Sequence, residues 1–157
     1  MKPSMREELM LDAIRQAVAG AAAGEGGPFG AVVARNGKII ARAHNTVLSK
    51  NDPTCHAEVN AIRSACRKLK RPHLYDCELY ASCEPCPLCL AAALWARLPV
   101  VYYAATREDA AKAGFDDAKF WRAFKLGRLP LKISRINLLE ASAPFAGWRA
   151  RKGRKVY

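Results

Sequence analysis

Two short stretches constrain this chain more than anything else in it: His56-Ala57-Glu58, and Pro85-Cys86-Pro87-Leu88-Cys89. Each is followed by a run of helical character, so both place reactive side chains at the start of a helix. Together they offer one histidine, two thiolates and a carboxylate. Imidazole and thiolate suit zinc, and a Cys-x-x-Cys spacing lets two sulfurs converge on one ion. A structural zinc site is closed by four protein ligands. His56, Cys86 and Cys89 make three, which leaves a position for water. Zinc lowers the pKa of such a water to about 7, which brings a hydroxide nucleophile within reach of neutral pH. Glu58, two residues after the histidine, is placed to move protons rather than to bind the metal. Cys83, Cys86 and Cys89 recur every three residues, so Cys83 competes for the fourth position. Pro85 argues against it, because it fixes the backbone before Cys86 and turns Cys83 back along the preceding strand. Taken alone, Cys86 and Cys89 also read as a redox pair or half of a zinc knuckle.

At 157 residues the chain is expected to form one domain, residues 1–157, long enough to bury a core without staples. Hydrophobic residues make up 51% and charged residues 25%, which excludes a disordered chain. All six cysteines lie between Cys55 and Cys89, behind a charged start with no apolar h-region and no bilayer-length apolar run. The expectation is a reduced, cytoplasmic setting without a membrane, with thiolates on metal in place of disulfides. Lys and Arg outnumber Asp and Glu by 26 to 14, a net charge of +12. The excess lies late, in a run of cations from Lys119 to Lys155 opposed only by Glu140. Such a field attracts nucleic acid or other polyanions, or simply forms a solvated basic surface; the second reading is favoured.

The pattern along the chain predicts an α/β protein. Leu9, Ile14, Ala17, Val18 and Ala21 recur at helical spacing over Met5 to Ala23, and Gly24 to Gly27 end that helix. Asn36-Gly37 marks a hairpin between strands at roughly 29–35 and 38–44. Asn45 closes the second strand, where its amide either bonds its own backbone as a turn-former or faces a purine edge. A helix is expected from about His56 to Lys68, capped near Thr54 or Cys55, with Cys55 and Cys66 as small buried hydrophobes. Cys77 to Ser82 reads as a strand and Pro87 to Ala96 as a helix whose N-terminus lowers the pKa of Cys86 and Cys89. Val100 to Ala104 reads as a strand buried on both faces. The strand-helix-strand alternation makes the third and fourth strands parallel. Short helices near 107–112 and 118–126, a strand from Lys132 to Leu139 and a helix from Pro144 to Arg151 complete the reading.

The pair His56-x-Glu58 and Pro85-Cys86-x-x-Cys89 resembles the signature of the cytidine deaminase superfamily. Further stretches are similar to its bacterial guanine-deaminating branch: Pro28-Phe29-Gly30, Asn51-Asp52-Pro53-Thr54, Trp95-Ala96-Arg97, Ala113-Gly114-Phe115-Asp116-Asp117, Pro144-Phe145 with Trp148, and the terminal Tyr157. The resemblance implies a three-layer α/β/α cytidine deaminase-like fold with a five-stranded mixed sheet. It implies one zinc per subunit on His56, Cys86 and Cys89, with Glu58 as proton shuttle and Asp117, or its neighbour Asp116, as its helper. Asn45, Phe29, Ala57, Trp95 and Tyr157 would contact the substrate, a small purine base. The implied assembly is a homodimer that exchanges residues from about 140 to 157, so that Tyr157 closes the other copy's site. The expected reaction is hydrolytic deamination of guanine to xanthine and ammonia. The alternative is a tRNA-specific adenosine deaminase, or a deaminase of a related nucleobase, nucleoside or aminotriazine. The basic C-terminal run is unexplained by a neutral base.

Overall fold

The computed structural model describes residues 4–127, 133–134 and 142–153. Its central element is β1 (Gly30–Arg35), whose Ala31, Val32, Val33 and Ala34 are all fully buried. The hairpin with β2 (Lys38–His44) forms as expected, since Asn36 and Gly37 both take positive φ (51° and 74°), as a two-residue hairpin turn requires. β3 (Glu78–Cys83) pairs antiparallel with the other edge of β1, and β4 (Val101–Ala105) pairs parallel with β3. The sheet is therefore mixed, in the order β2-β1-β3-β4, and the third and fourth strands are parallel as predicted. Among the described residues it has four strands rather than five. The expected fifth, Lys132 to Leu139, falls outside the described residues except for Ile133 and Ser134, which carry no strand.

Period-two alternation along the sheet creates the three layers. Ala31, Val33 and Leu79 face one side, against α3 (Ala57–Leu69) and α4 (Pro87–Trp95). Val32, Ala34 and Tyr80 face the other, against α1 (Met5–Ala22). Helix α1 starts on a Ser4–Glu7 capping box. Its buried stripe is Leu9, Ala13, Ala17 and Gly20, whereas the predicted Ile14 and Val18 are exposed. Small residues win the inner face because they let the helix lie close on the sheet. Gly30 marks the closest approach: a Cβ there would overlap the Ala13 carbonyl oxygen and the Ala17 nitrogen. Gly30→Ala is expected to cost about 3 kcal/mol through overpacking against backbone that cannot give, and urea titration of the two proteins would measure it.

Strand β4 corrects a second expectation. It is the outer strand of the described sheet, and Tyr103 is 49% exposed. Its apolar run reported strand propensity, not burial on both faces. Four short helices complete the order: α2 (Val47–Lys50), which the sequence did not announce, then α5 (Arg107–Lys112), α6 (Ala118–Leu126) and α7 (Ala143–Ala150). Among the described residues no helix is long and apolar enough to cross a membrane.

Candidate active site

The site forms where α3 and α4 begin. His56 is the N-cap of α3 and Cys86 the N-cap of α4, both with extended backbone and neither making a side-chain cap bond. The cap therefore lies one to two residues later than predicted. A normal cap side chain turns back onto the helix; these two are left to point outward. Pro87 occupies the first turn of α4, where its missing N–H costs nothing, and Cys89 follows within the same turn. The Nδ1 of His56 lies 3.5 Å from Cys86 Sγ and 3.4 Å from Cys89 Sγ, and the two sulfurs are 3.6 Å apart. A tetrahedral zinc with ordinary bond lengths needs such donors about 3.6–3.8 Å apart, so the triangle fits the ion. Among the described residues these are the only three side chains grouped to hold a metal. Cys83 stays outside the triangle, since its thiol donates to the Thr106 carbonyl at 3.3 Å.

Electrostatics within the triangle depart from the prediction that a helix N-terminus lowers both thiols. Cys86 falls to about 4, first because the Cys89 thiol donates to it and then because His56 does. Cys89 moves up instead, because the Cys86 thiolate holds its proton and burial opposes a second negative charge. His56 rises through its hydrogen bond with Cys86. Glu58, in the first turn of α3, is 7% exposed, and burial pushes its carboxyl above the ordinary range.

A cavity of about 500 Å³ opens onto this cluster, within the range of small-molecule sites. His56, Glu58, Cys86, Asn45, Phe29 and Asp117 all line it. Asn45 lines the cavity and behaves as a turn-former: its Oδ1 accepts from Gly27 N at 3.3 Å and Val47 N at 3.1 Å. Gly26 permits this, because a Cβ there would overlap the Asn45 amide oxygen. Phe29 meets Phe115 edge to face, 5.0 Å between centroids, forming an aromatic wall. Asp116 is exposed and accepts from Ala118 N at 2.9 Å, while Asp117 is half-buried and accepts from the Trp121 indole N–H at 2.9 Å.

Two predicted contacts are not brought in. Ala57 packs in the core, and Trp95, at the far end of α4, is 68% exposed and away from the cavity. Tyr157 lies outside the described residues. Glu84, Arg107 and Phe115 line the cavity without having been anticipated as site residues, and Trp121 stands behind Asp117. Phe115 sits in the Gly-Phe-Asp-Asp stretch that carries the family resemblance, but Glu84 and Arg107 meet only because α5 lies between the end of β3 and α6.

Comparison with known proteins agrees with the fold and with a zinc-binding deaminase region. The family model of the cytidine and deoxycytidylate deaminase zinc-binding region matches residues 3–105. Guanine deaminase of Bacillus subtilis is 46% identical over 153 residues, covering 96% of this chain and 98% of that one. Its X-ray structure superposes with a TM-score of 0.91. The guanine deaminase structure from Nitrosomonas europaea is 32% identical, with a TM-score of 0.64, over 69% of this chain and 63% of that one. A tRNA-specific adenosine deaminase of Aquifex aeolicus is 45% identical over 78 residues, half of this chain and 52% of its own length.

Proposed function

This chain belongs to the cytidine and deoxycytidylate deaminase family, and on that premise we propose that it deaminates guanine hydrolytically to xanthine and ammonia. The observation that carries the reading is a nine-tenths-buried carboxylate, Glu58, beside an open triangle of zinc donors in one cavity. His56, Cys86 and Cys89 would hold the ion, whose chemistry is to acidify a bound water to near neutral pH. Glu58 takes a proton from the attacking water and delivers one to the adjacent ring nitrogen. As the C–N bond breaks and the amine takes its proton, Glu58 and Asp117 supply the transfer. The Nδ2 donors of Asn45 match guanine, whose O6 and N7 both accept, whereas adenine presents an amino group in place of O6. Phe29 and Phe115, in contact with each other, would form one apolar wall against the flat ring.

Loss of guanine followed by ultraviolet absorbance, with ammonia detection, tests the activity on zinc-loaded protein. Asn45→Ala is expected to raise KM about tenfold or more, since it removes the amide donors proposed to hold the base. An unchanged KM would remove Asn45 from the substrate site.

The same reading extends to assembly and setting. We place the protein in the cytoplasm, where six free thiols persist reduced. We read it as a homodimer exchanging residues from about 140 to 157, with Tyr157 of one copy closing the other's cavity. Support comes from α7, exposed along its whole length with Phe145 66% and Trp148 38% accessible, and from exposed Leu94 and Trp95 on α4. A monomer in analytical ultracentrifugation would overturn this. The second reading, tRNA adenosine deamination, is favoured by the +12 charge and by the Aquifex aeolicus relative. Inosine formed in an anticodon stem-loop RNA, with guanine untouched, would establish it instead.

A further inference from the structure

Four side chains run in an unbroken line along one wall of the cavity, with Trp121 set behind the other three, and nothing in the reaction above uses more than the first. Asp117 Oδ2 accepts from Trp121 Nε1–H at 2.9 Å. The Arg107 guanidinium lies over the Trp121 ring, 4.8 Å from its centroid. Arg107 is in turn held twice by Glu84, through Nε at 3.1 Å from Oε1 and through its backbone N–H, which donates to Oε2 at 3.4 Å. Glu84 is anchored at the end of β3, where its own N–H donates to the Ala105 carbonyl at 2.9 Å. The strand that delivers the cysteine motif is thus tied, through α5, to the indole that holds Asp117 on α6.

We propose that Trp121 is a positioning residue for Asp117, supported by Arg107 and Glu84, and that it dictates which carboxylate oxygen carries the proton. The inference rests on the reading of Asp117 as a proton carrier in deamination. Its logic is that an indole N–H donates and never accepts. Oδ2 therefore accepts best while unprotonated, which favours Oδ1 as the oxygen that takes and gives the proton. The bond also fixes the carboxylate plane and favours the charged form. Arg107 contributes on two fronts, because a guanidinium both stacks flat on an indole and lies close enough to favour the carboxylate's charge. Two neighbours oppose it: Asp116 beside Asp117, and Cys86 at the head of α4. Burial is the largest influence of all, and it leaves Asp117 above the ordinary range. The indole bond is what offsets part of it.

Trp121→Phe tests this with little change of volume, since it keeps an aromatic ring under Arg107 and deletes the N–H. With zinc-loaded protein, kcat for guanine is expected to fall about tenfold while KM stays within about twofold, the scale of one lost hydrogen bond to a charged group. The limb of the pH profile that belongs to Asp117 is expected to move to higher pH, because the charged form has lost a donor. Arg107→Leu, which leaves the N–H but uncovers the ring, is expected to fall between the two. A second readout needs no turnover. Tryptophan fluorescence of the wild type should show a pH step that disappears in both Trp121→Phe and Asp117→Asn, with Trp95 and Trp148 as the unchanged background. Persistence of that step in Trp121→Phe, or wild-type kcat and pH profile in that variant, would overturn the proposal. A wild type that shows the step but leaves guanine intact would instead overturn the assigned reaction, and with it the catalytic use of the contact, while the contact itself stood.

Discussion

Glu58→Gln is expected to lower guanine turnover about a thousandfold or more while zinc stays bound, the upper part of the range for a general acid–base residue that acts in several proton transfers. Glutamine keeps the shape and the hydrogen-bonding reach but cannot exchange a proton. Zinc content measured by atomic absorption separates this loss from a loss of metal, because Glu58 is not one of the three donors. Near wild-type turnover in the variant would remove Glu58 from its role. Stability should move the other way. Burial raises the Glu58 carboxyl in the folded protein, so the folded state binds a proton more readily than the unfolded chain does. In metal-free protein, stability therefore falls as pH rises from the ordinary carboxylate pKa towards the raised one. Glu58→Gln removes that slope. Melting of metal-free wild type and variant at mildly acidic and neutral pH would show the variant gaining on the wild type as pH rises. A residue that costs stability where it stands is one retained for chemistry.

Cys89→Ala carries the second large effect. Cys89 is 1% exposed and supplies one corner of a triangle whose edges are all 3.4–3.6 Å. Removing it leaves one histidine and one thiolate, too few to retain zinc against dilution. Metal content is expected to drop from about one ion per chain to under a tenth, with turnover lost in proportion. The Cys86 thiolate should respond too. Its strongest support is the proton donated by Cys89, so in the metal-free variant its pKa should rise from about 4 towards that of a free thiol. Thiol alkylation rate against pH reads that shift directly. A variant that kept stoichiometric zinc would show that a ligand outside the triangle closes the site.

The residues that set the chemistry were readable because each depends on a few consecutive positions. His56-x-Glu58 and Cys86-x-x-Cys89 each occupy the first turn of one helix, so local spacing alone converges their side chains, and Pro87 marks where α4 starts. Asn36-Gly37 announced its hairpin for the same reason: positive φ at two adjacent residues is a property of those residues. The parallel pairing of β3 with β4 followed from alternation of element types, which restricts topology before any packing is known. What remained open depends on which surfaces meet. Neither the exposure of Tyr103 nor the choice of Ala13 over Ile14 for the inner face of α1 is encoded in a local pattern, because each is decided by what lies opposite. Asn45 needed the backbone of Gly27, eighteen residues earlier, to show that its amide oxygen also holds a distant loop. Sequence alone marked the donor pairs, since His56-x-Glu58 and Cys86-x-x-Cys89 are each a matter of spacing within a turn, while the meeting of the α3 and α4 N-termini that closes the triangle is long-range. Only the tertiary structure decided that Glu84, Arg107, Trp121 and Asp117 form one line: Asp117 and Trp121 are neighbours on one helix turn, but Glu84 and Arg107 come from two other places in the chain and join them through packing that no short-range rule describes.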